Sequence, residues 1–316
     1  MIRIGTRDSK LALWQARKVQ DLLMEKGIAS ELLMVKSDGD LDLHTPIYAM
    51  GVQGVFTKTL DAHLLSNKID IAVHSMKDVP TQLAVGIQQA AVLSRANHKD
   101  LLVYKDSGFL QQFSTPNKDE QQTLTGMIAT GSIRRKAQLL HRFPQLTIEN
   151  LRGNLQTRMK KLRESNWDAA IFAAAGLERI DERPEHAIEL DWMLPAPAQG
   201  AIMMVCRIAD ADIFEKTAML NDALTALCTK IERDFLKTLF GGCSTPISAF
   251  AEMSGKEIIF KANILSTDGK EKLAIEKAAL IENATKLGID CANELLENGA
   301  KSIVDEIRKD LNTHFG

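Results

Sequence analysis

The sequence predicts an α/β protein: two α/β lobes of one style, then a smaller α+β unit. Three observations predict it. Short apolar runs alternate with helical patterns through the first two hundred residues, as βαβ units require. The alternation breaks near Asp100 and then restarts, which marks a second lobe. From Asn221 onward the style changes to a helix, a pair of strands and a closing helix.

In the first lobe, residues 2–5 read as a strand and run into Thr6-Arg7-Asp8-Ser9. Leu11, Trp14, Ala16, Val19, Leu22 and Leu23 then recur near helical spacing until Gly27 stops the pattern. Residues 31–36 read as a second strand and 56–66 as a second helix. Residues 69–74 form a third strand ending in Ser75-Met76-Lys77-Asp78-Val79-Pro80. A mostly parallel, buried sheet is expected.

The second lobe opens with a strand over 101–104 and a polar insertion over 106–125. A strand over 127–130 follows, and Gly131-Ser132 opens a helix carrying Ile133, Ala137 and Leu140. Residues 146–151 form another strand leading into Arg152-Gly153-Asn154 and a basic helix that ends at Arg163. Residues 168–173 form the last strand of the lobe. Pro195-Ala196-Pro197-Ala198-Gln199-Gly200 reads as a linker before a strand over 201–206. The third unit is a helix over 223–239, a turn at Gly241-Gly242-Cys243-Ser244-Thr245-Pro246, and strands over 257–265 and 273–281. A hairpin signal, Asp268-Gly269, lies between those strands, and helices over 284–297 and from Ser302 close the chain.

Composition narrows the function. With 316 residues, two or three domains are expected, and 45% hydrophobic with 25% charged residues is ordinary for a globular protein. Lys and Arg total 39 against 41 Asp and Glu, so the balance is not that of a dedicated nucleic-acid binder. The longest apolar run, 169–177, is about half of a membrane span. Cys206, Cys228, Cys243 and Cys291 form no C-x-x-C pair, so neither a zinc site nor a disulfide framework is expected, and no metal is assigned. With no basic and apolar leader at Met1, a reduced, cytoplasmic protein is the expectation.

The chemistry is expected at the carboxyl ends of the strands, where helix N-termini expose free N–H groups. Arg7 and Ser9, Ser75 with Lys77 and Asp78, Thr130 with Ser132, Arg134 and Arg135, and Arg152 with Gly153 all occupy such positions. Between Gly131 and Arg163 nine basic residues face a single acid, Glu149. Guanidinium groups bind planar carboxylates in bidentate fashion, at roughly 1.5–3 kcal/mol per charge-assisted bond, so a ligand with several carboxylates or phosphates is favoured. A solvated helix face is the plainer reading for Lys160, Lys161 and Arg163. Lys77-Asp78 reads either as a structural ion pair or as a catalytic carboxylate that stays ionised among cations. Cys243 follows two glycines and is either a modified thiol or an inert one. Cys206 and Cys228 lie in apolar segments and read as core thiols, and His74 as a locally packed side chain.

Taken in order, the motifs resemble those of the porphobilinogen deaminase family across nearly the whole chain. They are Gly5-Thr6-Arg7-Asp8-Ser9 with Leu11 to Ala16, Ala72 to Pro80, Ile133-Arg134-Arg135, Leu151-Arg152-Gly153-Asn154, Ala175-Gly176-Leu177, Gln199-Gly200-Ala201 and Gly241-Gly242-Cys243. The resemblance implies two periplasmic-binding-protein-like α/β domains flanking a cleft, plus a small C-terminal α+β domain. Their expected extents are 1–98 with 200–218, 99–199, and 219–316. It further implies a dipyrromethane cofactor held as a thioether on Cys243, and condensation of four porphobilinogen molecules into hydroxymethylbilane with release of ammonia.

By the same resemblance, Asp78 is the catalytic carboxylate. It would hold pyrrole N–H groups and stabilise the cation left when ammonia departs. Ser75, Lys77, Thr130, Ser132, Arg134, Arg135, Arg152 and Gly153 would hold the cofactor. Arg7, Ser9, Phe56, Arg158, Arg179 and Gln199 would face the substrate. A monomer with no nucleic-acid or membrane partner is implied. Ala49 and Gln53 stand where members often carry lysine, Gly131 where serine is common, and Ala198 where glycine is common. The competing expectation is a non-catalytic, two-lobed anion-binding module, which leaves the third unit and its Gly-Gly-Cys turn without a role.

Overall fold

Three sheets organise the molecule. The structure, a computed structural model, describes residues 1–36, 57–114, 117–239 and 245–313, with backbone alone from 310. The first sheet contains β1 (Ile2–Arg7), β2 (Ser30–Val35), β3 (Ile71–Ser75), β4 (Ile87–Val92) and β10 (Ile202–Arg207), in the order β2-β1-β3-β10-β4. The second contains β5 (Asp100–Tyr104), β6 (Gly126–Ala129), β7 (Leu146–Glu149), β8 (Ala169–Ala173) and β9 (Ala187–Glu189), in the order β7-β6-β8-β5-β9. The third is an antiparallel meander of β11 (Ile247–Ser254), β12 (Glu257–Leu265) and β13 (Lys272–Leu280).

The two large sheets share one plan. In each, three parallel strands are followed by an antiparallel strand and an antiparallel edge. The antiparallel inner strand, β10 in one and β5 in the other, is the one that arrives from the opposite lobe. Four of the five strands in each sheet therefore point the same way, as the expected mostly parallel sheet requires, and only the crossing strand runs against its neighbours.

Strand residues alternate between the faces with period two. Ile4, Val73, Ile202 and Met204 pack on Ala16, Val19 and Leu23 of helix α1 (Lys10–Glu25). Ala72, Val92, Met203 and Val205 pack on the other face, against Leu60 and Leu64 of α2 (Lys58–Leu65). The second sheet is covered on one face by α3 (Ser107–Phe113), α4 (Lys118–Thr123) and α5 (Ile133–Arg142), through Phe113, Leu124, Leu139 and Phe143. Its other face meets α6 (Leu155–Glu164) and α7 (Ala174–Glu178), through Leu162, Ala174 and Leu177. The segment expected as a polar insertion is thus two short helices, capped by Asp106 and Asn117 and anchored by Phe109 and Phe113. The strands β4, β9 and β11 and helix α8 (Ala211–Ala218) also escaped the periodicity argument. Among them, β9 has three residues and β4 contains Gln88-Gln89, so neither shows a clear apolar alternation.

The chain crosses between lobes twice, through residues 93–99 and 190–201, and the two crossings are tied together. Arg95 Nε donates to the Gln199 carbonyl at 2.8 Å, and Ala96 N to the Gly200 carbonyl at 3.1 Å. The third unit grips this hinge through α9 (Ala223–Thr238). Its Glu232, fully buried, accepts from Arg95 Nη1 at 2.6 Å and Nη2 at 3.1 Å, from Ala198 N at 2.6 Å and from Ala251 N at 2.8 Å. One carboxylate therefore joins both crossings to β11. Phe250 adds a ring stacked on His98 at 3.8 Å, with the Arg95 guanidinium 4.8 Å above its centre. Helices α10 (Leu287–Leu295) and α11 (Lys301–Thr313) complete the third core with α9 and the meander.

Ala198 lies on this hinge with φ of 62°, in the left-handed region where a Cβ crowds the following carbonyl. The neighbouring Gly200, at φ 89°, could not take a side chain, because a Cβ would stand 2.6 Å from the Ala96 carbonyl oxygen. Ala198→Gly should relieve the first strain and raise stability by about 0.5 kcal/mol, once glycine's added unfolded-state entropy is offset. A urea titration checks it; an unchanged or lower midpoint would mean the turn costs nothing as it stands.

Candidate active site

The loops that follow β1, β3, β6, β7 and β8 carry most of the polar residues singled out from the sequence, and the fold brings them to the space between the lobes. The 3-10 turn Met76–Asp78 follows β3 directly. Its Lys77 lines a crevice of about 40 Å³ together with Ser132 and Arg134 of the second lobe, the linker residues Ala196 and Pro197, and Arg233 and Thr245 of the third unit. All three units thus meet at one point, and Thr245 is the second residue after Cys243.

Beneath this point lies a buried polar platform centred on Asp100. Arg134 Nη2 donates to Asp100 Oδ2 at 2.7 Å, and Arg135 reaches Oδ1 with Nη2 at 2.8 Å and Nε at 3.1 Å. Gln199 Nε2 donates to the same Oδ1 at 2.9 Å. Burial alone would push the Asp100 carboxyl up, but the two guanidinium groups outweigh it and hold it far below the usual range. The helix bearing both arginines is thereby locked to the hinge. Arg134 Nη1 also bonds the Leu194 carbonyl at 2.5 Å and Arg135 Nη1 the Ile171 carbonyl at 3.0 Å. Arg134 Nε is buried and has no hydrogen-bond acceptor among the described residues.

The platform extends to the first lobe. Lys77 Nζ donates to Gln199 Oε1 at 3.2 Å, so the chain Lys77–Gln199–Asp100–Arg134/Arg135 runs from β3 across the hinge to α5. Burial lowers the Lys77 pKa to about 8, against the pull of Asp78 and Asp100 and with the push of Arg135 and Arg134. The Lys77-Asp78 turn is held from the third unit, because Arg233 donates to the carbonyls of Val79 at 2.9 Å and Pro80 at 2.6 Å. Gln15 fixes the turn's start by exchanging hydrogen bonds with the Ser75 hydroxyl, at 2.8 and 3.3 Å.

The remaining cations converge from both lobes. Arg158, with its Nε on the Gly153 carbonyl at 2.7 Å, is lowered to about 10 by burial and then by Arg135, Arg152 and Arg7, with Asp78 opposing. Both lobes therefore act on one guanidinium. Arg152 is buried. Arg179 Nη2 donates to the Gly200 carbonyl at 2.6 Å and its guanidinium lies 5.8 Å from the Trp14 ring centre; burial lowers it to about 10. All these groups stay charged at neutral pH. His74, lowered to about 4 by burial and by Arg7, stays neutral.

Several predicted hydroxyls have local duties. Ser9 caps α1 by accepting from Ala12 N at 3.3 Å, and Ser132 caps α5. Thr130 is buried and accepts from Ser132 N at 3.2 Å. Gly131 packs so closely that a Cβ would stand 2.4 Å from the Leu151 carbonyl oxygen. Phe56, Cys243, Ala49 and Gln53 lie outside the described residues. Cys206 and Cys228 are buried thiols raised by desolvation, the second to about 11, as expected of core residues.

The sequence argument passed over Asp100, Arg95, Glu232 and Arg233. Two of them left a signal: Asp100 is an acid opening the apolar strand DLLVY, and Glu232 sits on the α9 face shared by Cys228, Ile231 and Phe235.

Asp100→Asn keeps the shape and leaves two buried guanidinium groups without their carboxylate. Stability should fall by about 3–5 kcal/mol. Because the Asp100 pKa is depressed in the folded state, its contribution is complete above the ordinary value of 3.8 and is lost as pH falls below it. The gap between parent and variant in urea titrations should be constant from pH 5 to 8 and shrink in stronger acid; a gap that widened there would contradict the assignment.

Two family models match the chain: "Porphobilinogen deaminase, dipyromethane cofactor binding domain" over residues 2–215, and "Porphobilinogen deaminase, C-terminal domain" over 226–297. A curated relative, porphobilinogen deaminase of Chlorobium phaeobacteroides (strain BS1), is 38% identical over 314 residues, covering 97% of each chain. Among solved structures, the VFT2 domain of Bordetella pertussis BvgS aligns over 69% of this chain and 85% of its own, at 13% identity and a TM-score of 0.40. An ancestral cationic amino acid solute binding protein aligns over 69% and 87%, at 13% identity and a TM-score of 0.43. On its matched family models and its near full-length relative, the chain belongs to the porphobilinogen deaminase family.

Proposed function

We propose that this enzyme joins four porphobilinogen molecules head to tail into hydroxymethylbilane at the junction of Lys77, Asp78, Ser132, Arg134 and Thr245. It is a hydroxymethylbilane synthase with a dipyrromethane cofactor. The observation that carries the site assignment is that crevice, where both lobes meet the third unit two residues beyond Cys243. The donor set fits the cofactor. A dipyrromethane bears several carboxylates, and Lys77, Arg134, Arg135, Arg152 and Arg158 supply five cationic groups toward the cleft, with Arg134 Nε buried and lacking an acceptor among the described residues.

When bound through Cys243, the dipyrromethane supplies the pyrrole carbon to which the first substrate ring is joined. The protein's own residues would do the rest. Ser75, Lys77, Thr130, Ser132, Arg134, Arg135, Arg152 and Gly153 would hold the cofactor's acidic side chains. Arg7, Ser9, Arg158, Arg179 and Gln199 would receive those of the incoming substrate, and Phe56 would face it as an apolar contact. Asp78 Oδ atoms accept pyrrole N–H groups and balance the positive charge that develops as ammonia leaves, a preorganised electrostatic role worth about 10²–10³ in rate. Low local dielectric strengthens each of these interactions.

The domains we assign are 1–98 with 200–218, 99–199, and 219–316, because the strands of each sheet fall within these limits. We further propose that the enzyme works as a cytoplasmic monomer. The buried cysteines Cys206, Cys228 and Cys291, which form no disulfide among the described residues, accord with a cytoplasmic setting, and no helix among the described residues is long and apolar enough to cross a membrane. A non-catalytic binding module is not favoured, because the family match extends over the third unit as well as the lobes.

Intact mass tests the tether. Purified protein should exceed its sequence mass by one dipyrromethane, and Cys243→Ser should remove the excess; a parent protein at bare sequence mass after exposure to porphobilinogen would refute the assignment. Asp78→Asn should keep the excess mass while turnover falls about 10²-fold or more. Near-parental turnover in that variant would remove Asp78 from the reaction.

A further inference from the structure

A second cavity, of about 760 Å³, lies in the second lobe against residues of α6 other than Arg158. Gln156, Met159, Leu162 and Arg163 of that helix line it, whereas the charge of Arg158 acts on the cleft. None of the residues assigned to the reaction lines it. Its volume is within the range of small-molecule sites.

The lining has two parts. Val103 and Leu162 form a buried apolar floor, extended by Met159, Pro184 and the Tyr104 ring. His186 meets Tyr104 edge to face at 5.6 Å, giving an aromatic wall. The polar part is cationic: Lys105, Arg163 and Arg183 stand against one acid, Glu182. That acid is already neutralised by Lys10 of the first lobe at 2.6 Å and accepts from Gln156 at 3.3 Å. Arg183 is held by Glu178 at 2.7 Å, and Lys105 donates to the Ser165 carbonyl at 2.5 Å. Arg163 makes no hydrogen bond or salt bridge among the described residues and is exposed. An apolar, aromatic-walled space whose rim carries the Arg163 guanidinium, within electrostatic reach of Glu182 but making no hydrogen bond among the described residues, matches a flat ring bearing a carboxylate.

We propose that this cavity is a binding site for a small aromatic carboxylate, separate from the cleft, with Arg163 as its anchor. The assignment does not depend on which residues carry the reaction. The test is titration calorimetry of the holoenzyme with 2-naphthoate and with the neutral isostere 2-naphthamide. Naphthoate should bind one to one, and the amide about tenfold or more weaker, the loss of one charge-assisted contact. Arg163→Glu should weaken naphthoate by about tenfold or more, and Met159→Trp, which fills the floor, should abolish it. Both variants should keep parental turnover, which shows that they fold; if Met159→Trp does not, Arg163→Glu alone decides. No saturable binding, equal affinity for acid and amide, parental affinity in Arg163→Glu, or competitive displacement by porphobilinogen would each overturn the proposal. The last would place naphthoate in the cleft.

Discussion

A carboxylate with no access to water can remain ionised only if the protein surrounds it with positive charge and donors, and Asp100 is placed under that constraint. Arg134, Arg135 and Gln199 satisfy it together. Because Asp100 opens β5 just after the first crossing and Gln199 lies on the second, the arrangement pins both crossings to the start of α5. The Arg134 and Arg135 guanidinium groups are therefore fixed before any ligand arrives. Such preorganisation matters in a site that stabilises charge, since groups already in place need not reorganise during the reaction.

The third unit acts on this geometry from outside the lobes. Glu232 collects the Arg95 guanidinium and two backbone N–H groups at one buried point. One residue further along the helix, Arg233 holds the carbonyls beside the Asp78 turn. A single helix thus references both the hinge and the Lys77-Asp78 turn, and the chain then leads directly into the Gly-Gly-Cys segment. That gives the third unit a structural reason to exist. It sets where a tethered group would lie relative to Asp78.

The surplus of positive charge is costly to bury and useful once buried. Lys77, Arg158 and Arg179 are all lowered by desolvation, so burial in the protein disfavours their charged forms. Anionic ligand groups would relieve that penalty, so cation burial and polyanion affinity are two views of one interaction. The outer cavity of the second lobe follows a milder version of the same rule, with an exposed Arg163 over an apolar floor.

Much of this was legible in the chain itself. Short apolar runs located β1, β3, β5, β6, β7 and β8, and residues just beyond several of them named Arg7, Lys77, Asp78, Arg134, Arg135 and Arg152 as candidates, because strand ends carry ligands in α/β sheets. The basic run from Gly131 to Arg163 pointed to an acidic ligand by charge alone. What only the tertiary structure decided was which partner each charge meets. A carboxylate's neighbours are set by long-range contacts, such as the 99 residues that separate Asp100 from Gln199 and the 137 that separate Arg95 from Glu232. Local sequence carries periodicity and propensity, which act over a few residues. Pairings between distant segments depend on how the sheets close, and the antiparallel entry of β5 and β10 is visible only there.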